Sequence, residues 1–141
     1  MSDDIITINY TVSGEDFSLA GEASVNVKSR LKKMGIPPEA IRRAAIALYE
    51  AEINLVIHAN GGEITVDVLP DAISMKVEDD GPGIEDVGLA MSEGFSTATE
   101  EVRNLGFGAG MGLPNMKRHA DEFAISSVPG TGTKIEMVVR F

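Results

Sequence analysis

Two glycine-rich stretches carry the chemistry that this chain is equipped to do. In Asp79-Asp80-Gly81-Pro82-Gly83 a carboxylate stands just ahead of two spaced glycines. Further on, Leu105-Gly106-Phe107-Gly108-Ala109-Gly110-Met111-Gly112 has glycine at every second position from Gly106. Glycine at that density exposes backbone N–H groups with no Cβ in the way, and such loops wrap phosphates. An aspartate entering a glycine turn accepts a hydrogen bond from a flat neutral donor such as an adenine amino group. Together they suggest a nucleotide held at base and phosphate. Each has a plainer reading. Asp-Gly-Pro-Gly is good turn chemistry, and the second run alone is a flexible loop. That run does lead into a predicted helix, and a glycine loop feeding a helix N-terminus is an anion site. Its spacing is neither the dinucleotide fingerprint nor a P-loop, which needs Gly-Lys-Ser/Thr.

A second constellation lies on an apolar helical stretch from Ala44 to Ile57. Leu48, Ala51, Leu55 and Ala59 mark one face. Glu50 and Asn54 are one turn apart and share another, with Ile46, Ala47, Ile53 and Ile57 around them. An uncompensated carboxylate there costs on the order of several kcal/mol. A Glu with an amide one turn on, opening onto a pocket, binds a hydrated Mg²⁺ and accepts a proton. The plain alternative is a surface helix with two solvated polar residues. Glu52 is the rival carboxylate, but its one-turn neighbour is Val56, not an amide. His58 and His119 show no zinc spacing and read as structural or exposed. The methionines read as core filler.

The elements that must position these groups follow from periodicity. Ile6, Ile8, Tyr10 and Val12 alternate with polar residues and predict an opening strand. A helix is expected over 17–34, stopped by Gly35. Pro37-Pro38 opens a second helix over 38–59. Ile64, Val66, Val68 and Ile73, Met75, Val77 alternate about Pro70-Asp71, a β-hairpin signal that delivers the chain to Asp79. Between Gly83 and Gly112 the pattern is irregular, with a short helix near 86–91. The polar stretch 96–107 is expected to act as a nucleotide-gated lid, to which Arg103 would belong. A helix over 112–120 and strands over 123–128 and 134–141 close the chain. The expected architecture is one α+β domain over residues 1–141: a two-layer α/β sandwich, its mixed β-sheet carrying helices on one face.

Composition narrows the function. The chain has 141 residues and 43% hydrophobic content, enough for a core. Its net charge is −10, against the basic face that nucleic-acid binding needs. It has no cysteine, so disulfide scaffolds and thiolate metal sites are out. No apolar run is long enough to span a bilayer, and Met1-Ser2-Asp3-Asp4 lacks the layout of a signal peptide. A cytoplasmic location is the default expectation, with neither nucleic acid nor membrane as partner.

Taken in order, these motifs resemble the GHKL (Bergerat-fold) ATP-binding superfamily of histidine kinases, MutL proteins and type II topoisomerases. Glu50-Ala51-Glu52-Ile53-Asn54 matches its N-box. Asp79-Asp80-Gly81-Pro82-Gly83 and Gly108-Ala109-Gly110-Met111-Gly112 match its two glycine boxes. Thr133, in Gly130-Thr131-Gly132-Thr133, matches its late threonine. Within the superfamily the chain is most similar to the small anti-sigma-factor and switch serine/threonine kinases of the RsbT and RsbW type, above all RsbT. Further stretches that carry this are Gly94-Phe95-Ser96-Thr97 and Gly112-Leu113-Pro114-Asn115-Met116-Lys117-Arg118. The segment holding Glu100-Glu101-Val102-Arg103-Asn104 is longer than in the RsbT type.

The resemblance implies an ATP·Mg²⁺-dependent kinase that phosphorylates a serine or threonine of a STAS-domain partner. A sigma factor or a phosphatase is a further candidate partner, and a homodimer is left open. It implies Glu50 as base, Asn54 as Mg²⁺ ligand and Asp79, with Thr133 behind it, as the adenine site. Gly81, Gly83, Gly108, Gly110 and Gly112 would line the nucleotide. The competing expectation is an ATP-gated binding module that sequesters or activates a partner without phosphoryl transfer. A histidine-kinase catalytic domain is a weaker third, since no helix ahead of the domain offers a phospho-accepting histidine.

Overall fold

The computed structural model describes residues 6–13, 21–58, 61–81 and 112–141. In chain order these form β1 (Ile6–Ser13), α1 (Glu22–Lys33), α2 (Pro38–His58), β2 (Gly61–Val68), β3 (Ala72–Asp79), α3 (Gly112–His119), β4 (Glu122–Val128) and β5 (Gly132–Arg140). The expected short helix near 86–91, the proposed lid over 96–107, and Gly83, Arg103, Gly108 and Gly110 lie outside the described residues.

Period-two patterning sorts the strands into two faces. One row across the sheet reads Ile8, Val66, Met75, Met137, Phe123, and the next Tyr10, Ile64, Val77, Ile135, Ile125. These face the helices and supply the sheet's share of the core. The opposite face is polar: Thr7 donates to Asp67 at 2.7 Å and Thr11 to Glu63 at 3.0 Å. The described helices therefore cover one and the same face, as expected of the two-layer sandwich.

The strand order is β1-β2-β3-β5-β4. Among the described strands every pairing is antiparallel, where the sequence suggested a mixed sheet. The route from β3 through α3 brings β4 back parallel to β3, but one strand away. β5, turning back from β4 at Thr131, fills that gap antiparallel to both.

On α1, Ala23, Val27 and Leu31 repeat every four residues and are buried. The helix begins at Glu22, behind Gly21 at φ +95°, and the earlier start expected near 17 falls outside the described residues. On α2, Ala40, Ala44, Ala47 and Ala51 form a buried stripe of small side chains flanked by Leu48 and Leu55. Small residues let this long helix lie close to both α1 and α3. Leu113 and Met116 hold α3 in the same core. No described helix is long and apolar enough to cross a membrane.

Arg43 ties the end of the fold remote from Asp79. Its guanidinium donates to Asp121 at 3.0 Å, to the His119 carbonyl at 3.4 Å and to the Arg140 carbonyl at 3.0 Å. Asp121 also accepts the backbone N–H of Arg140 at 2.6 Å. That bond, and then the Arg43 guanidinium, hold the Asp121 carboxyl below the usual carboxylate range.

Candidate nucleotide site

One row of residues at the edge of the sheet's helix-facing side reads Val12, Gly62, Asp79, Thr133, Ser127. Asp79 is the last residue of β3, opposite Thr133 of β5, and Thr133 is opposite Ser127 of β4. The two hydroxyls of Thr133 and Ser127 lie 2.8 Å apart and share a hydrogen bond. Ser127 Oγ is also 3.2 Å from the Gly132 carbonyl oxygen.

Glycines on both neighbouring strands set the place of Asp79. A Cβ on Gly132, at φ +146°, would land on the Asp79 carbonyl oxygen. One on Gly62 would meet the Glu78 carbonyl oxygen, the Asp79 Cβ and Leu55 of α2. Both positions therefore need glycine so that backbone can pass this close. The Leu55 contact also places the C-terminal part of α2 directly over this row.

The Asp79 carboxylate divides its work. Oδ1 accepts the Gly81 N–H at 2.8 Å, which closes the turn. Oδ2 receives no hydrogen bond from any described residue. The turn reading and the base-recognition reading thus use different oxygens, and both fit one side chain.

Glu50 and Asn54 are both half-buried on one face of α2, as their spacing requires. Glu50 Oε2 accepts the Asn115 side-chain amide of α3 at 3.0 Å. Its Oε1 carries no hydrogen bond from any described residue, and neither does the Asn54 side chain. Asn115 in turn accepts from Arg118 Nη1 at 3.0 Å. Sequence spacing did not single out Asn115. Its only signal was its place in the helix that Gly112 opens.

Glu52 has a separate task. It is 1% exposed. Its Oε2 accepts the backbone N–H groups of Gly21 at 3.0 Å and Ala23 at 3.1 Å, and its Oε1 accepts the Ser24 N–H at 2.9 Å and hydroxyl at 2.7 Å. Gly21 has no side chain with which to cap α1, so a carboxylate from α2 serves the orphan donors. With both oxygens occupied, Glu52 is not available as a base. A glycine before a helix facing a buried glutamate is the signal that sequence reading could have used.

The Asn54 amide suits a hard cation in one respect: it offers an uncharged oxygen of the kind that Mg²⁺ accepts alongside phosphate oxygens and waters. Among the described residues no cluster of three or more His, Cys, Asp or Glu could hold a metal without such help.

An antiparallel sheet under helices, a half-buried Glu and Asn on one helix face and an aspartate held by glycines at the sheet's end define an ATP-binding class of protein. The chain belongs to the family described as Histidine kinase-, DNA gyrase B-, and HSP90-like ATPase, which matches residues 39–141. It is 34% identical over 111 residues to the serine/threonine-protein kinase RsbT of Bacillus subtilis, covering 76% of this chain and 77% of that one. It is 38% identical over 104 residues to an anti-sigma F factor of Caldanaerobacter subterraneus subsp. tengcongensis, covering 70% and 69%. The fold matches a crystal structure of the RsbU and RsbW domains of a Mycobacterium tuberculosis protein with a TM-score of 0.64 at 16% identity, over 96% of this chain and 32% of that one.

Proposed function

We propose that this chain, acting as a single ATP-binding domain, is an ATP·Mg²⁺-dependent protein serine/threonine kinase of a partner-switching system, with a STAS-type protein as acceptor. The observation that carries this reading is the Glu50 carboxylate. It is half-buried and held through one oxygen, while the other receives no hydrogen bond from any described residue, and Asn54 follows one turn on along the same helix face. The kinase name of the Bacillus subtilis relative supports it.

Phosphoryl transfer asks chiefly for positioning and charge neutralisation. Asp79 Oδ2 takes the adenine amino group, with Thr133 fixed behind it by Ser127. Gly112 and the glycines before it meet the phosphates. Asn54 would hold Mg²⁺, which supplies charge neutralisation on the phosphates when bound. The acceptor hydroxyl oxygen bonds to the γ-phosphorus as the bond from that phosphorus to the β,γ-bridging oxygen breaks. The bond's electron pair leaves with ADP. The hydroxyl proton passes to Glu50 Oε1 and from there to solvent.

Several relatives are named anti-sigma F factors, so a sigma factor is a further candidate partner. The test is incubation with γ-labelled ATP, Mg²⁺ and each STAS-domain protein of the same genome. Label on a serine or threonine is the expected result. Nucleotide-dependent complex formation with no label on any acceptor overturns the kinase reading in favour of an ATP-gated binding module.

A further inference from the structure

We infer that Asn115 is a positioning residue for phosphoryl transfer, aligning the Glu50 carboxylate through a polar chain that includes Arg118. The inference rests on the reading of Glu50 as the base. A glutamate has three side-chain torsions, and a base must present one lone pair to the incoming hydroxyl within hydrogen-bond reach. Among the described residues no side chain of α2 hydrogen-bonds Glu50. The Asn115 amide does so from a second helix, donating to Oε2 at 3.0 Å.

The orientation of that amide is itself determined. Arg118 Nη1 lies 3.0 Å from Asn115 Oδ1, and a guanidinium has donors only. The amide oxygen must therefore face Arg118, which leaves the nitrogen for the carboxylate. A neutral donor also suits the task. A lysine or arginine at 115 would form an ion pair with Glu50 and hold its proton-accepting form too firmly. Asn115 orients without that penalty, and the cation is kept one residue removed.

The element that carries Asn115 is fixed. Leu113 and Met116 are buried against the core, and Arg43 donates to the His119 carbonyl at the far end of the helix. α3 also opens at Gly112, the last glycine of the second run, so Asn115 stands one turn from the proposed phosphate loop. The placing of the base is thereby tied to the helix that follows that loop.

Three measurements test this. In proton–nitrogen correlation spectra of the nucleotide-free protein, an Asn115 side-chain amide proton should be displaced and slow to exchange. Glu50→Ala should abolish both features. In transfer from γ-labelled ATP·Mg²⁺ to the STAS-domain acceptor, Asn115→Ala should lower kcat roughly ten- to a hundredfold, with the KM for ATP and for acceptor unchanged. In a Glu50→Gln background, Asn115→Ala should cause no further loss, because its effect runs through that carboxylate. Asn115→Leu, close in shape and uncharged but without the donor, carries the test if the alanine variant is unstable. Wild-type kcat in these variants, a change confined to KM, an additive loss in the double variant, or unfolding of both variants overturns the inference. If Glu50→Gln itself leaves transfer unchanged, the reading of Glu50 as base falls and this inference falls with it. If Glu50→Gln abolishes transfer while Asn115→Ala does not, only the role of Asn115 is lost.

Discussion

Ser24 donates both its backbone N–H, at 2.9 Å, and its hydroxyl, at 2.7 Å, to the same oxygen of Glu52. With Gly21 and Ala23 on the other oxygen, a carboxylate on α2 caps α1 across the helix layer. Glu52→Ala removes the acceptor from these donors at once and opens a cavity. It should cost about 3 kcal/mol and lower the midpoint of thermal unfolding by roughly 10 °C. Glu52→Gln should cost less but still be clearly destabilising, since its NH₂ must face an N–H. A thermal scan of Glu52→Ala that overlays the wild type would remove Glu52 from this role.

Glu50→Gln separates the two carboxylates by function. Half-buried and bonded to one amide, Glu50 should tolerate this change with little loss of stability. ATP binding should be retained while transfer to an acceptor falls on the order of 10²-fold or more. Single-turnover transfer with calorimetric ATP binding on the same preparation reads both. Unchanged transfer means no side-chain base at this position, because Glu52 has no oxygen to spare.

Asp79→Asn should leave the fold intact and strip adenine recognition. The amide oxygen of asparagine still accepts the Gly81 N–H and preserves the turn. The nitrogen then faces where the adenine amino group would donate, so a charge-assisted bond becomes a donor facing a donor. The loss is about 2–4 kcal/mol of binding, or roughly thirty- to a thousandfold in Kd. Near-native ATP affinity by calorimetry would move adenine recognition elsewhere.

Gly132→Ala tests the backbone that holds Asp79. The added Cβ would collide with the Asp79 carbonyl oxygen, and φ +146° is itself costly for alanine. Unfolding should come earlier by about 2 kcal/mol or more, and the protein that remains folded should bind ATP weakly. Gly130→Ala, at φ +80° but with open space around its Cβ position, should cost only backbone strain and spare ATP binding. Equal effects of the two changes on nucleotide affinity would show that the close approach to Asp79 is immaterial.

The Asp121 cluster gives a pH signature at the opposite end of the fold. Its folded carboxyl titrates below the usual value because of the Arg140 N–H and the Arg43 guanidinium. A depressed folded value stabilises above the unfolded pKa, near 4, and that contribution fades as pH falls through the folded value. The group is partly exposed, so Asp121→Asn should cost only about 1 kcal/mol at pH 7. The gap to wild type should close in the window below about pH 4. A gap of the same size at pH 3, by thermal or urea unfolding, would assign the loss to shape and not to charge.

The sequence alone determined the elements and their order, because each is written in local periodicity. Alternation at Ile64, Val66, Val68 and Ile73, Met75, Val77 gives a hairpin whatever it packs on. The four-residue spacing of Glu50 and Asn54 puts them on one face of any helix. Asp79 at a strand's end before glycines, and the helix opening at Gly112, are local in the same way. The tertiary structure alone decided what each carboxylate meets. Glu50 and Glu52 are two residues apart and so point about 200° from one another on α2. Periodicity says that they face opposite ways, but not which way meets an uncapped helix end and which meets Asn115. That choice depends on α1 and α3, which are remote in sequence and reach α2 only through the core. The antiparallel sheet has the same origin. Nothing local in β5 says that it inserts between β3 and β4, and that insertion alone sets Thr133 between Asp79 and Ser127.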